Sequence, residues 1–170
     1  MKHLKKLISF AIIFAGITTA AFAQVSATAT ASATIVGPIG ITNTANMNFG
    51  NVAVSTVAGT VVLTPAAARS TTGGCTLPAI TGTVAAGSFN VTGAAAYTYA
   101  ITLPGAATTI TSGGNTMTVD TWTSTPSGTG TLSGAGSQTL TVGATLNVGA
   151  SQAAGTYVSG TPFTVTVNYN

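Results

Sequence analysis

The sequence predicts an all-β fold, antiparallel strands packed as a β-sandwich, and three observations carry that expectation. Apolar residues recur at every second position in run after run, the period of a strand with one buried face. Gly- and Pro-rich turn signals separate the runs at short intervals. Beyond the N-terminal segment no window shows the 3.6-residue period of an amphipathic helix. With 170 residues the chain has the length of one domain.

The first segment is read differently. Lys2, His3, Lys5 and Lys6 precede an apolar run from Leu7 to Ile17, and Ala21-Phe22-Ala23 follows with small residues. A cationic start, an apolar middle and a small-residue site mark a secretory signal peptide over residues 1–23. The apolar run is short for a permanent membrane span, which needs about 20 residues. Residues 24–170 are then expected to form a single β-sandwich domain.

The mature chain opens on "QVSATATASATIV". Val25, Ala27, Ala29, Ala31, Ala33 and Ile35 alternate with Ser26, Thr28, Thr30, Ser32 and Thr34. This ribbon reads as the domain's own first strand, as an arm given to a neighbouring subunit, or as a linker. In a mixed version, Ala33–Ile41 is the first strand, bent at Gly37-Pro38, and residues 24–32 project as a donor arm. Short runs follow at Ile39–Thr42, Met47–Val54, Thr60–Thr64, Gly74–Leu77 and Ser88–Thr92, with a turn signal at Gly73-Gly74. "YTYAITL" places Tyr97, Tyr99, Ile101 and Leu103 on one face, and Pro104-Gly105 ends it. After Gly113-Gly114, Thr116–Thr125 shows a phase break. Met117 and Val119 share a face and Trp122 falls on the other, which suggests a bulge or an edge position. Pro126-Ser127-Gly128 marks the next turn. "TLTVGATLNV" then aligns Leu140, Val142, Ala144, Leu146 and Val148. "PFTVTVNY" closes the chain, with Phe163, Val165, Val167 and Tyr169 opposite Thr164, Thr166 and Asn168. These four make the expected last core strand.

Charge excludes more than it suggests. The formal net charge is +3, yet from Gln24 onward the only charged side chains are Arg69 and Asp120. Phosphate neutralisation needs several cations in one patch, so no nucleic-acid partner is expected. The mature chain has no His and a single carboxylate side chain, so it holds no acid–base pair. Cys75 is the sole cysteine and cannot form an internal disulfide. One Cys and one Asp do not close a metal shell. No enzyme, no cofactor and no metal are expected. Sheet edges are usually guarded by Lys or other charges, and this chain has almost none to spend on that. An exported β protein with unguarded edges either carries an internal cap or pairs with copies of itself.

Three stretches carry a resemblance: "ATASATIVGPIGITNTANMNFGNVAVSTVAGTVVLTP", "GTVAAGSFNVTGAAAYTYAITLP" and "AGTYVSGTPFTVTVNYN". They resemble a bacterial exported family catalogued as domain of unknown function 4402, over nearly the whole mature chain. "MNFGNV" at Met47–Val52 and the closing "TPFTVTVNYN" are the most specific. The ending and the early "NFG" are similar to spore-coat-U and fimbrial pilin domains. That resemblance implies an immunoglobulin-like sandwich, exported to the cell surface and assembled strand by strand through a periplasmic chaperone and an usher. Many spore-coat-U-like domains carry a cysteine pair where this chain has Cys75 alone.

The expectation is therefore an exported, pilin-like structural subunit of a fimbria or surface matrix, without stable membrane insertion. A carbohydrate-binding or adhesin module is the rival, and it requires Trp122, Tyr97 or Tyr157 exposed on a flat face. A small outer-membrane β-barrel is a third reading, disfavoured by short Gly-broken strands and scattered aromatics.

Overall fold

A computed structural model describes residues 23–170. Apart from Ala23, the leader read at residues 1–23 lies outside them. Every strand among the described residues lies in the unit Ile35–Asn170. No helix occurs among the described residues, and all pairings are antiparallel.

The strands are β1 (Gly40–Ala45), β2 (Asn48–Phe49), β3 (Ala53–Leu63), β4 (Arg69–Thr76), β5 (Val84–Ala85), β6 (Gly87–Thr92) and β7 (Thr98–Thr102). They continue with β8 (Thr108–Ser112), β9 (Asn115–Thr125), β10 (Thr129–Thr131), β11 (Ser137–Val148), β12 (Val158–Ser159) and β13 (Thr166–Tyr169). Eight form a large sheet that curls into a half-barrel, in the order β1-β6-β11-β9-β8-β12, with β3 joined to β11 and β4 joined to β3. A three-stranded sheet runs β10-β7-β13, and β2 pairs with β5.

β11 is the hub because its apolar alternation is the longest of any strand. Leu140, Val142, Ala144, Leu146 and Val148 are all buried. One edge of β11 pairs with β9; the other takes β6 along Ser137–Val142 and then β3 along Ala144–Val148. The sheet forks at Gly143, between the two. The backbone of Leu63, Thr64 and Pro65 presses so closely there that a Cβ would overlap it. On the opposite edge β9 shifts register at the same level, and Thr121 takes a φ of 51°. This is the bulge that the phase break in "TMTVDTWTST" suggests. It turns Trp122 back to the buried side after Val119.

The core has two lobes. In one, Phe89 and Val91 of β6 and Leu140 and Val142 of β11 meet Tyr99 of β7, Val167 of β13, and Leu132 and Val165. The apolar faces of the large and the three-stranded sheets thus pack on each other. In the other lobe Val61, Cys75, Val119, Ala144, Leu146 and Val148 line the curl. Met47 and Trp122 touch both lobes. A fully buried Val or Leu contributes about 1.5–3 kcal/mol, and these two clusters are the main store of such burial.

Three sequence expectations need correction. The ribbon supplies no first strand: among the described residues no strand appears before Gly40, so Val25, Ala27, Ala29, Ala31, Ala33 and Ile35 lie outside every described sheet. Alanine has too little surface to hold a strand on a core by itself, whereas Ile39 and Ile41 pack on the first lobe. Second, Gly73-Gly74 is not a turn. It lies inside β4, which begins at Arg69. β3 bulges out over Ser55–Ala58 opposite it, and Gly73 adopts a φ of 64° to follow. Third, the ladder of the last strand starts at Thr166, so Phe163 and Val165 precede it. Both still face the core, and Phe163 stands 4.6 Å from Trp122 and 6.2 Å from Phe89 between ring centroids.

Candidate functional site

The reactive groups are few, and each has a structural occupation. The Arg69 guanidinium donates from Nη1 to the carbonyls of Phe49 (2.6 Å) and Asn51 (2.9 Å). It clamps the turn after β2, where Gly50 has a φ of 68°. Asp120 accepts hydrogen bonds from Thr121 Oγ1 (3.0 Å) and Asn147 Nδ2 (2.9 Å). Cys75 is buried in the second lobe, and loss of hydration pushes its pKa up. A thiol held protonated is a poor nucleophile. Burial also raises the Tyr99 phenol, whose hydroxyl donates to Gln138 Oε1 at 2.7 Å. Among the described residues no three His, Cys, Asp or Glu side chains gather where a metal would sit.

The three aromatics of the adhesin reading are dispersed. Trp122 packs on both core lobes and donates from Nε1 to Ala106 O at 3.4 Å. Tyr157 accepts from Gln152 Nε2 and donates to Ala153 O, so it ties its own loop. Tyr97 is 46% exposed and rests edge-on against Tyr169 at 5.6 Å.

What the molecule offers its surroundings is backbone. From Ala23 to Ile35 every residue is exposed, and Val25 and Ile35 keep 92% and 91% of their surface. The run is uncharged throughout, so alternate positions present either Ala, Val and Ile or Ser and Thr. Among the described residues β1, β4, β12, β10 and β13 each pair on one side only, as do β2 and β5 of the two-stranded sheet. At the β13 edge, Val165 and Val167 face inward, while Thr164, Thr166 and Asn168 are exposed. Tyr169 anchors the entrance to the domain: its hydroxyl accepts from Ala94 N (2.7 Å) and donates to Gly37 O (3.1 Å). The β4 edge escapes a reading of the sequence, because its second half looks like a Gly-Gly turn. The hydroxyl alternation of Ser70 and Thr72 just before it is the signal that could have found it.

These features define an all-β domain with several unpaired strand edges, preceded by an unpaired alternating ribbon. The chain belongs to the family described as Domain of unknown function (DUF4402), whose model matches residues 39–169. The match runs from just before β1 to the last residue of β13. No curated protein and no solved structure matched the chain.

Proposed function

We propose that the chain is an exported, non-enzymatic structural subunit of a pilus-like filament or cell-surface matrix, an immunoglobulin-like sandwich that assembles by strand complementation. The ribbon Gln24–Thr34 carries this reading. It has strict alternation and full exposure, yet pairs with no strand among the described residues. An extended segment added to a sheet gains affinity from main-chain hydrogen bonds and fit from alternate side chains. A ribbon passed from copy to copy is a head-to-tail contact, which propagates as a fibre unless it closes into a ring. Two packed apolar sheet faces support the sandwich part. The scarcity of side chains able to move protons or attack bonds supports a binding role over a chemical one.

In this reading the leader directs export, further copies or pilin-like subunits are the partners, and a periplasmic chaperone and usher handle the subunit before assembly. Deletion of Gln24–Ser32 is the test. The truncated protein is expected to fold and to remain monomeric while the parent forms filaments, as seen by sedimentation and negative-stain microscopy. Filaments from the truncated protein would end the proposal.

A further inference from the structure

The large sheet stops on one side at β4, which pairs with β3 and with no other strand among the described residues. Its single charged residue, Arg69, is turned onto the Phe49 and Asn51 carbonyls. Ser70, Thr72 and Thr76 are exposed and neutral. Edges are ordinarily blocked with Lys or Pro on their exposed positions, and Ser70, Thr72 and Thr76 are neither. Next to its far end lie exposed apolar side chains: Val54 (40%), Val57 (61%), Leu77 (37%) and Ile80 (79%). Pairing gathers them. Val54 stands opposite Cys75, two residues before Leu77. Asn51 holds the loop after β4 by bonds to the carbonyls of Ile80 (3.1 Å) and Thr81 (2.7 Å). Val57 sits in the β3 bulge opposite Gly74.

We propose that this edge and its apolar patch receive Gln24–Ile35 of a second copy. The inference rests on the strand-complementation reading and names where the ribbon lands. β4 has eight residues, against six in β1, four in β13, three in β10 and two in β12. At about 3.3 Å per residue, the ribbon is long enough to run its whole length. Both surfaces are uncharged apart from Arg69, which is engaged internally, so pairing strands no charge. The apolar positions from Val25 to Ile35 meet the patch, and Ser26, Thr28, Thr30, Ser32 and Thr34 stay in water. The bend at Gly73 divides the edge into Arg69–Thr72 and Gly74–Thr76, and the Ala, Ser and Thr side chains of the ribbon are small enough to follow it.

The test uses the full-length protein made in an exporting bacterial host, so that the cell sets the N-terminus. Ser70→Lys and Ile80→Lys place a cation on the edge and on the patch; Asn168→Lys does the same on the β13 edge. The first two are expected to weaken assembly by at least about tenfold at unchanged melting temperature, and Asn168→Lys to assemble like the parent. Normal assembly of Ser70→Lys and Ile80→Lys, with loss in the Gln24–Ser32 deletion, overturns the β4 assignment and leaves strand complementation standing. Normal assembly of the deletion removes both. Should a lysine variant melt early, disulfide capture decides. In a Cys75→Ser background, Thr30→Cys on one copy and Thr72→Cys on another, both on the water-facing side of the pairing, are expected to give a covalent dimer. Its absence under conditions where the parent assembles overturns the assignment.

Discussion

Tyr169 is a terminal aromatic with four engagements. Its ring packs on Tyr97 and the first core lobe, and its hydroxyl bridges Ala94 N and Gly37 O. Tyr169→Phe keeps the ring and leaves both backbone groups short of a partner. A loss of about 1–3 kcal/mol is expected, measured by denaturant unfolding. Gly143 answers to a different constraint. The Leu63–Pro65 backbone occupies the space a side chain would need, so Gly143→Val is expected to cost several kcal/mol or prevent folding. Cys75 and Tyr99 are the groups through which alkaline pH is expected to act. Burial raises both above their ordinary values of 9.0 and 10.0. Folding therefore holds their protons more tightly than the unfolded chain does. The stability they contribute is complete below pH 9 and is lost as pH climbs through the raised values. Unfolding curves at pH 7, 9 and 10.5 are expected to show that decline, and Cys75→Ala is expected to remove its earlier part. No decline across that range would show that neither group is coupled to folding.

At the scale of the element, β11 concentrates the stability. Leu146 is buried on the side that lines the curl, between β3 and β9. Leu146→Ala is expected to cost about 2–5 kcal/mol by denaturant titration, and the same change at exposed Ile80 to cost under about 0.5 kcal/mol. β11 was the most legible element in the sequence, because its apolar positions alternate across ten residues and burial follows them. The bulge at Trp122 was legible for the same reason: a break in phase is visible wherever the phase is strong. β4 was not. Gly73 and Gly74 read as a turn because turns and bulges need the same left-handed or side-chain-free backbone. Only the approach of β3, whose Ser55–Ala58 bulge fills the space beside them, makes this pair part of a strand. β8, β10 and β12 were missed because each is short and gains its order from a neighbour, not from its own pattern.

For the whole molecule, the division at Thr34 matters most. All described strands, both core lobes and the family match lie after it. Deleting Gln24–Ser32 is therefore expected to leave the melting temperature unchanged within about 2 °C, since exposed residues without strand pairing contribute little to folding. A large drop in melting temperature would mean that the ribbon is part of the fold. The charge-poor surface makes a second prediction. Association through neutral backbone edges has no strong Coulomb component, so assembly measured from 0.05 to 0.5 M NaCl is expected to vary little. A steep salt dependence would point to a charged partner instead.

Period-two alternation, the turn residues between runs and the near absence of charge were enough to determine an all-β antiparallel chain and to mark its longest core strand. Alternation is a local property, and a strand's own side chains decide which of its faces seeks burial. Tertiary structure alone decided which edges remain open, that Gly73-Gly74 belongs to a strand and that the ribbon stays outside every sheet. Those outcomes depend on which segments compete for the same hydrogen-bonding edge and the same core volume. That competition is settled between distant residues, such as Ile41 against Val91 or Leu63 against Ala144, and leaves no trace in any single window of the sequence.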